Sequence, residues 1–380
     1  MTTEGRIDVT LELEAGRCAR VVVASSRPLH VWRALEGRSV DEALKLLPLM
    51  SSICSSAQAV AGLRACEAAL GVQVDPREEA AREAVVAAEV LQNHLWFWFV
   101  TGQDLIGAAP NLVSLRRVRA RLAEATVAVM GKGPWLRLGG MERTPDVDAL
   151  ERALDAVDAE LRAAGLASGA QSLEQLSAGA GPAAEILRVG FETSLRAVGQ
   201  TSAPVESFDP AFVADAVWNV PGFERAPKGR RGPMELGPLV STADDPLVRH
   251  AVASMGHGVG ARLVARSVET CAKFEALRQT AQNLQPPSPR GQEARESGRG
   301  FGTAPTSRGP VLHAVDVEQR QVVGWRVVAP TEWTFHPEGP VREALVGLAA
   351  PDVQEATRWA RWAVATLDPC VEFAVRARES

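Results

Sequence analysis

Apolar and polar residues alternate through residues 6–24, RIDVTLELEAGRCARVVVA, on both sides of Glu14-Ala15-Gly16-Arg17, and this period of two predicts a β-hairpin. The pattern then changes to a helical one. Ser55 followed by Gln58 has the spacing of a capping box, and an alanine-rich helical run comes after it. Ala57, Ala61 and Ala65 form a small-residue stripe along that helix, against which another segment can pack closely. Helices are predicted over residues 76–102, 112–129, 147–164, 183–198, 245–284 and 351–366. Two further strands are predicted at 310–317 and 321–329, joined around Glu318–Arg320. Residues 285–309 are dense in Pro, Gly, Ser and charge, and read as a mobile loop. The fold class is α+β, mainly α, with short β-hairpins near both ends.

With 380 residues the chain has ample length for a large core, and 46% hydrophobic with 23% charged residues is ordinary for a globular protein. A net charge of −5 without a basic tract argues against a nucleic-acid partner. The longest purely apolar run, Leu95–Val100, is too short for membrane insertion. The amino-terminal MTTEGRIDV has neither a basic nor an apolar leader region, which predicts a cytoplasmic protein. Five scattered cysteines do not make a disulfide framework. No GxGxxG, P-loop, GxSxG or HExxH pattern occurs, and no internal repeat.

The candidate chemistry lies in two cysteines. Cys54 sits just before the predicted helix, where unpaired N–H groups and the dipole favour a thiolate. In Asp368-Pro369-Cys370, Asp suits an N-cap and Pro the first helical position, which places Cys370 in another first turn. Two cysteines at two helix mouths suggest a shared site, although free cysteines are more often buried hydrophobes. His94, in an apolar stretch, reads as a core histidine rather than a ligand, and His257 as a packing residue. Cys18, Cys66 and Cys271 read as structural.

The run Pro48 to Glu67, PLMSSICSSAQAVAGLRACE, resembles without a gap the segment PRICGVCPTAHALASVRAVE of nickel–iron hydrogenase large subunits. The end, DPCVEFAVR from Asp368 to Arg376, is similar to their terminal DPCxxCxxH. Arg6-Ile7-Asp8 matches the start of RIEGH, the Gly37-Arg38 pair anchors a third segment, and Pro330-Thr331-x-Trp333 a fourth. The resemblance covers about residues 6–102 and 227–376, and implies one domain over residues 1–380. Its parts are an amino-terminal portion 1–102, a divergent helical middle 103–226 and a carboxy-terminal portion 227–380.

Each metal motif is half lost. The resemblance puts Cys54 at an iron-bridging thiolate and Cys370 at a nickel-only thiolate, while Ser51 and Phe373 replace the other two. Serine is a hard, poor ligand for a thiolate-preferring metal and phenylalanine is none, so no nickel is expected. Trp32 stands where a magnesium-binding glutamate would be and Arg376 at the final histidine, so no magnesium is expected either; the fixed charge of Arg376 is a candidate substitute for the cation. GTAPTSRG resembles GEAPRG, whose arginine hangs over the metal site, with Thr303 for the glutamate and two residues inserted; this makes Arg308 the candidate cofactor-binding residue, with a solvated loop arginine as the alternative. The chain stops four residues past Arg376, so no cleavable tail is expected.

Incomplete ligands on a large-subunit framework resemble the HupK/HoxV family of hydrogenase maturation proteins. That resemblance implies no catalytic residues and no enzyme activity. The implied role is a transient scaffold for an iron fragment carrying cyanide and carbonyl. The implied partners are hydrogenase maturation proteins and the hydrogenase large subunit. A metal-free docking protein is the alternative, and a divergent hydrogenase the least favoured.

Overall fold

The computed structural model describes residues 5–166, 169–202, 208–288 and 294–380. The expected hairpin forms as β1 (Arg6–Glu14) and β2 (Arg17–Ser25). Ile7, Val9, Leu11 and Leu13 of β1 all face the core. A strand the sequence did not announce, β6 (Glu372–Glu379), completes this sheet in the order β2-β1-β6. It runs parallel to β1, with Ile7 opposite Phe373. Both ends of the chain therefore meet in one sheet.

Helix α1 (Val40–Leu46) opens with a capping box between Ser39 and Glu42. The helix α2 (Ser55–Leu70) follows, then α3 (Pro76–Trp96), capped by Asp75 with Pro76 at its first position. A π-turn, Phe97–Thr101, joins α3 to α4 (Gly102–Leu105). The body continues with α5 (Leu112–Met130), α6 (Val147–Ala163), α7 (Leu173–Ala178), α8 (Pro182–Gly190) and α9 (Pro210–Asn219). The predicted helix over 183–198 is thus shorter and displaced to Pro182–Gly190. The single helix predicted over 245–284 is two, after the short α10 (Pro238–Ser241): α11 (Pro246–Met255) and α12 (Val259–Asn283). Gly256, at φ 70, breaks the pair where the apolar periodicity runs on unbroken. The chain ends with α13 (Pro330–Thr334), α14 (Pro340–Leu345), α15 (Val353–Leu367) and β6.

A second sheet, β3 (Gly298–Thr306), β4 (Gly309–Glu318) and β5 (Gln321–Val328), is antiparallel throughout. Much of the segment read as a mobile loop is thus a strand; residues 289–293 of it lie outside the described residues. The expectation failed because the glycines there serve close approach rather than a turn. Carbons built as Cβ on Gly298, Gly300 and Gly302 would fall 2.5, 2.3 and 2.3 Å from backbone atoms of Ala69 and Ala61. The alanine stripe of α2 has its packing partner in β3.

The period of two in β4 explains how this sheet serves both sides. Val311, Val315 and Val317 pack in one cluster with α2, while Leu312 and Ala314 join α9 and Trp333 in another. His313 shares the α2 side. No helix among the described residues is long and apolar enough to cross a membrane.

Candidate metal centre

Cys54 is the N-cap of α2, but its own side chain caps nothing and the Ser55–Gln58 capping box does not form. The open N–H groups are served from α3. The Glu89 carboxylate accepts from Ser56 N–H at 2.7 Å, Ala57 N–H at 2.9 Å and the Ser55 hydroxyl at 3.3 Å. A carboxylate thus already occupies the positive end of the helix. Cys54 is only 9% exposed, and burial, then Cys370, then Glu89, push its thiol up to about 11. The expected thiolate is therefore corrected to a neutral thiol, because desolvation and an anion 35 residues along outweigh the dipole.

Cys370 is not on a helix. Asp368 ends α15 in the left-handed region at φ 59, and Pro369 and Cys370 turn into β6. Asp-Pro fits the exit from a helix as well as the entrance, since proline is common just past a C-cap. The partly exposed Cys370 and the buried Cys54 nevertheless line one cavity of about 90 Å³, with Arg27, Trp32, Met50 and Gln58. Cys370 also lines a wider cavity of about 790 Å³, with Trp96, Thr101, Arg308, Asp368 and Phe373. The Ser51 hydroxyl lies 3.4 Å from Cys54 Sγ.

Arg308, in the turn between β3 and β4, is 8% exposed. Its Nη2 lies 3.2 Å from Asp368 Oδ1, whereas Nε and Nη1 are buried without a hydrogen-bond partner among the described residues. Burial opposes its charge, but the Asp368 carboxylate holds it protonated. The other carboxylate oxygen of Asp368 accepts from Arg266 Nη1 at 3.0 Å. Burial works to protonate Asp368, yet Arg308 and Arg266 keep its carboxyl below the usual range. Arg266 lies over the Phe97 ring at 4.2 Å and reaches His94 Nδ1 at 3.3 Å. His94 Nε2 is 2.9 Å from Glu269 Oε2, so His94 is a buried core residue. Sequence reasoning missed Arg266, Asp368 and Glu89 as parts of the site. A signal existed for one of them: Arg262 and Arg266 stand four apart on one face of an otherwise apolar helical run.

Two other expectations, for Arg376 and Cys271, are revised. Arg376 is exposed on β6, which corrects the idea that its charge replaces a buried cation. Trp32 packs edge-on against His313 with ring centroids 5.2 Å apart. Cys18 and Cys66 are buried, but Cys271 is partly exposed. Among the described residues no three His, Cys, Asp or Glu side chains converge as a metal-binding group.

Residues 223–376 match the nickel-dependent hydrogenase family. The hydrogenase expression/formation protein HupV of Azotobacter chroococcum mcd 1 is 30% identical, with 98% of each chain covered. The chain belongs to the HupK/HupV/HoxV family of hydrogenase expression/formation proteins. HupK of Azotobacter vinelandii is also 30% identical over 98% of each chain, and HoxV of Cupriavidus necator 26% identical over 94% of this chain and 93% of its own. The fold is that of a hydrogenase large subunit. The nickel–iron–selenium hydrogenases of Desulfovibrio vulgaris Hildenborough and Desulfomicrobium baculatum superimpose with a TM-score of 0.71 each. They are 17% identical to this chain and cover 94% and 95% of it, and equal shares of themselves. As a HupK/HupV/HoxV protein, this chain has the large-subunit fold around Cys54 and Cys370.

Proposed function

We propose that this chain is a non-enzymatic cytoplasmic scaffold of hydrogenase maturation. It holds an iron fragment bearing cyanide and carbonyl between Cys54 and Cys370 and passes it to the hydrogenase large subunit. The observation that carries this reading is that Cys370 shares one cavity with Cys54 and a second with a buried arginine, Arg308, whose Nε and Nη1 lack partners among the described residues. Buried donors of this kind are costly unless something accepts from them. A cyanide nitrogen on a bound iron is such an acceptor, and exogenous cyanide and carbonyl complete a shell that two sulfurs cannot. The iron is cargo here. Because Cys54 is a neutral thiol, binding must displace a proton, which weakens the hold and suits release.

Hydrogenase activity in a strain carrying Cys54→Ala tests the proposal, with immunoblotting to show that the protein persists. Activity is expected to fall strongly, less so for Cys370→Ala, and to stay near normal for Cys18→Ala and Cys66→Ala. Anaerobically purified wild-type protein is expected to show cyanide and carbonyl infrared bands and no stoichiometric nickel. Normal activity in the Cys54→Ala strain would sink the scaffold reading and leave docking by the large-subunit-like surface.

A further inference from the structure

We propose that Gln58 is the positioning residue of the Cys54 sulfur, with its amide locked in one orientation by His313 and Trp325. An amide's two ends are hard to tell apart by shape, so the orientation has to come from the hydrogen-bond network. The network here leaves one solution. An indole N–H only donates, and Trp325 Nε1 lies 3.0 Å from His313 Nδ1. Nδ1 must therefore accept, and the single proton of the neutral ring sits on Nε2. His313 Nε2 is 2.6 Å from Gln58 Oε1, so the Gln58 oxygen accepts. The amide NH₂ is then the end that meets Cys54 Sγ at 3.5 Å. The direction of donation runs from Trp325 through His313 and Gln58 to the sulfur.

The fold holds this string rigidly. His313 is wholly buried, and burial pushes its pKa down to about 3, so the ring stays neutral. Its place on the α2 side of β4 follows from strand alternation, and the Trp32 ring packs edge-on against it. Gly62 lies one turn beyond Gln58, where a Cβ would come 2.6 Å from Leu47, 3.0 Å from Trp325 and 3.3 Å from His313 Nδ1. The space beside the string is therefore filled.

The consequence rests on Cys54 as a ligand. A fixed N–H donor takes up one sulfur lone pair and drains electron density from it, which weakens its donation to a metal. Gln58 stands where the hydrogenase segment PRICGVCPTAHALASVRAVE has histidine. An amide orients the sulfur as an imidazole can, but it neither takes up nor releases a proton near neutral pH. The string therefore sets the sulfur's geometry without conducting protons to it.

The test uses metal-free protein, so its outcome is separate from whether iron is ever held. The Raman S–H band of Cys54 is identified as the one lost in Cys54→Ala. Gln58→Met is expected to shift that band, and His313→Phe, which does not touch the sulfur, to shift it in the same direction. The double variant should shift it no further than the larger single one. An unmoved band in Gln58→Met, or additive shifts in the double variant, overturns the proposal. Should His313→Phe fail to fold, the ¹⁵N shifts of His313 in wild-type protein decide instead. A protonated Nε2 with a bare Nδ1 is expected, and the opposite tautomer refutes the locked orientation.

Discussion

Gly300→Ala should destabilise the protein more than its one methyl group suggests. The new Cβ would lie 2.3 Å from Ala69 N and 2.4 Å from Ala65 O, both backbone atoms of α2. Neither can rotate away, and the β3 backbone is tied to β4 by its ladder. Restoring ordinary van der Waals contact needs a retreat of about 1 Å across a close-packed layer. Overpacking costs about 1–3 kcal/mol in general, and a clash with backbone on one side and a sheet on the other belongs at about 3. For a chain of this length that is roughly a 4 °C fall in Tm. Gly179→Ala is the control, since its φ is −62 and its nearest neighbour would be 3.7 Å away; it should change stability by less than about 0.5 kcal/mol. Thermal unfolding followed by circular dichroism reads both. Because α2 begins at Cys54, Gly300→Ala should also expose that thiol to faster alkylation. A Tm for Gly300→Ala within about 1 °C of wild type would refute the claim that backbone contact locks this layer.

Alkylation of the native protein by iodoacetamide near neutral pH should label Cys370 well before Cys54. The Cys54 rate should keep rising as the pH climbs toward about 11, because burial favours its protonated form; comparable rates for the two at pH 7.5 would contradict the buried-thiol assignment. Arg82→Met removes a wholly buried guanidinium that reaches both Glu67 oxygens at 2.8 Å and Glu78 at 3.1 Å. It should cost about 3–5 kcal/mol in urea unfolding by leaving Glu67 charged and unpaired. Burial already raises the Glu67 pKa, so its folded form binds a proton more readily than the unfolded one, and the deficit should shrink as pH falls from 7 toward 5. A loss independent of pH would assign the cost to packing instead.

What was legible in the sequence was what a single element's own period carries. The β1 alternation, the α2 alanine stripe and the β4–β5 pair all read correctly because each pattern repeats within one segment. What failed depended on partners far along the chain. The glycines of β3 look like loop composition until α2 lies against them, since only contact distinguishes a close approach from a turn. Asp368-Pro369 has the chemistry of both a helix start and a helix end, and only α15 before it decides which. The state of Cys54 depends on Glu89, a residue of another helix, filling the place where the dipole argument put a thiolate. An arginine in a Gly- and Pro-rich stretch reads equally as a site residue or a solvated loop residue, and the burial of Arg308 against Asp368 is a tertiary fact.

The charges fixed around the two thiols bear on which cargo the proposed site would accept. Asp368 is one buried negative charge, and it is met by two guanidiniums, Arg266 at 3.0 Å and Arg308 at 3.2 Å. His94, further back, is kept neutral by burial and lies against Glu269, so that pair balances itself locally to one negative charge beyond Arg266. Asp368 with its two arginines carries a surplus positive charge on the Cys370 side, with two Arg308 donors unpartnered among the described residues, while the Glu89 carboxylate lies on the Cys54 side. Of the two thiols of the proposed site, Cys370 shares a cavity with Arg308. In a low-dielectric setting a buried guanidinium with unpartnered donors favours a fragment that brings its own anionic ligands over a bare dication. On the proposed reading, Arg308 is thus the residue that selects an anionic iron fragment. Arg308→Met should accordingly weaken retention of the cyanide-bearing fragment more than Arg308→Lys, because only the guanidinium and, in part, an ammonium can donate to it. Equal infrared cyanide intensity in all three proteins after the same anaerobic purification would remove the arginine from the argument.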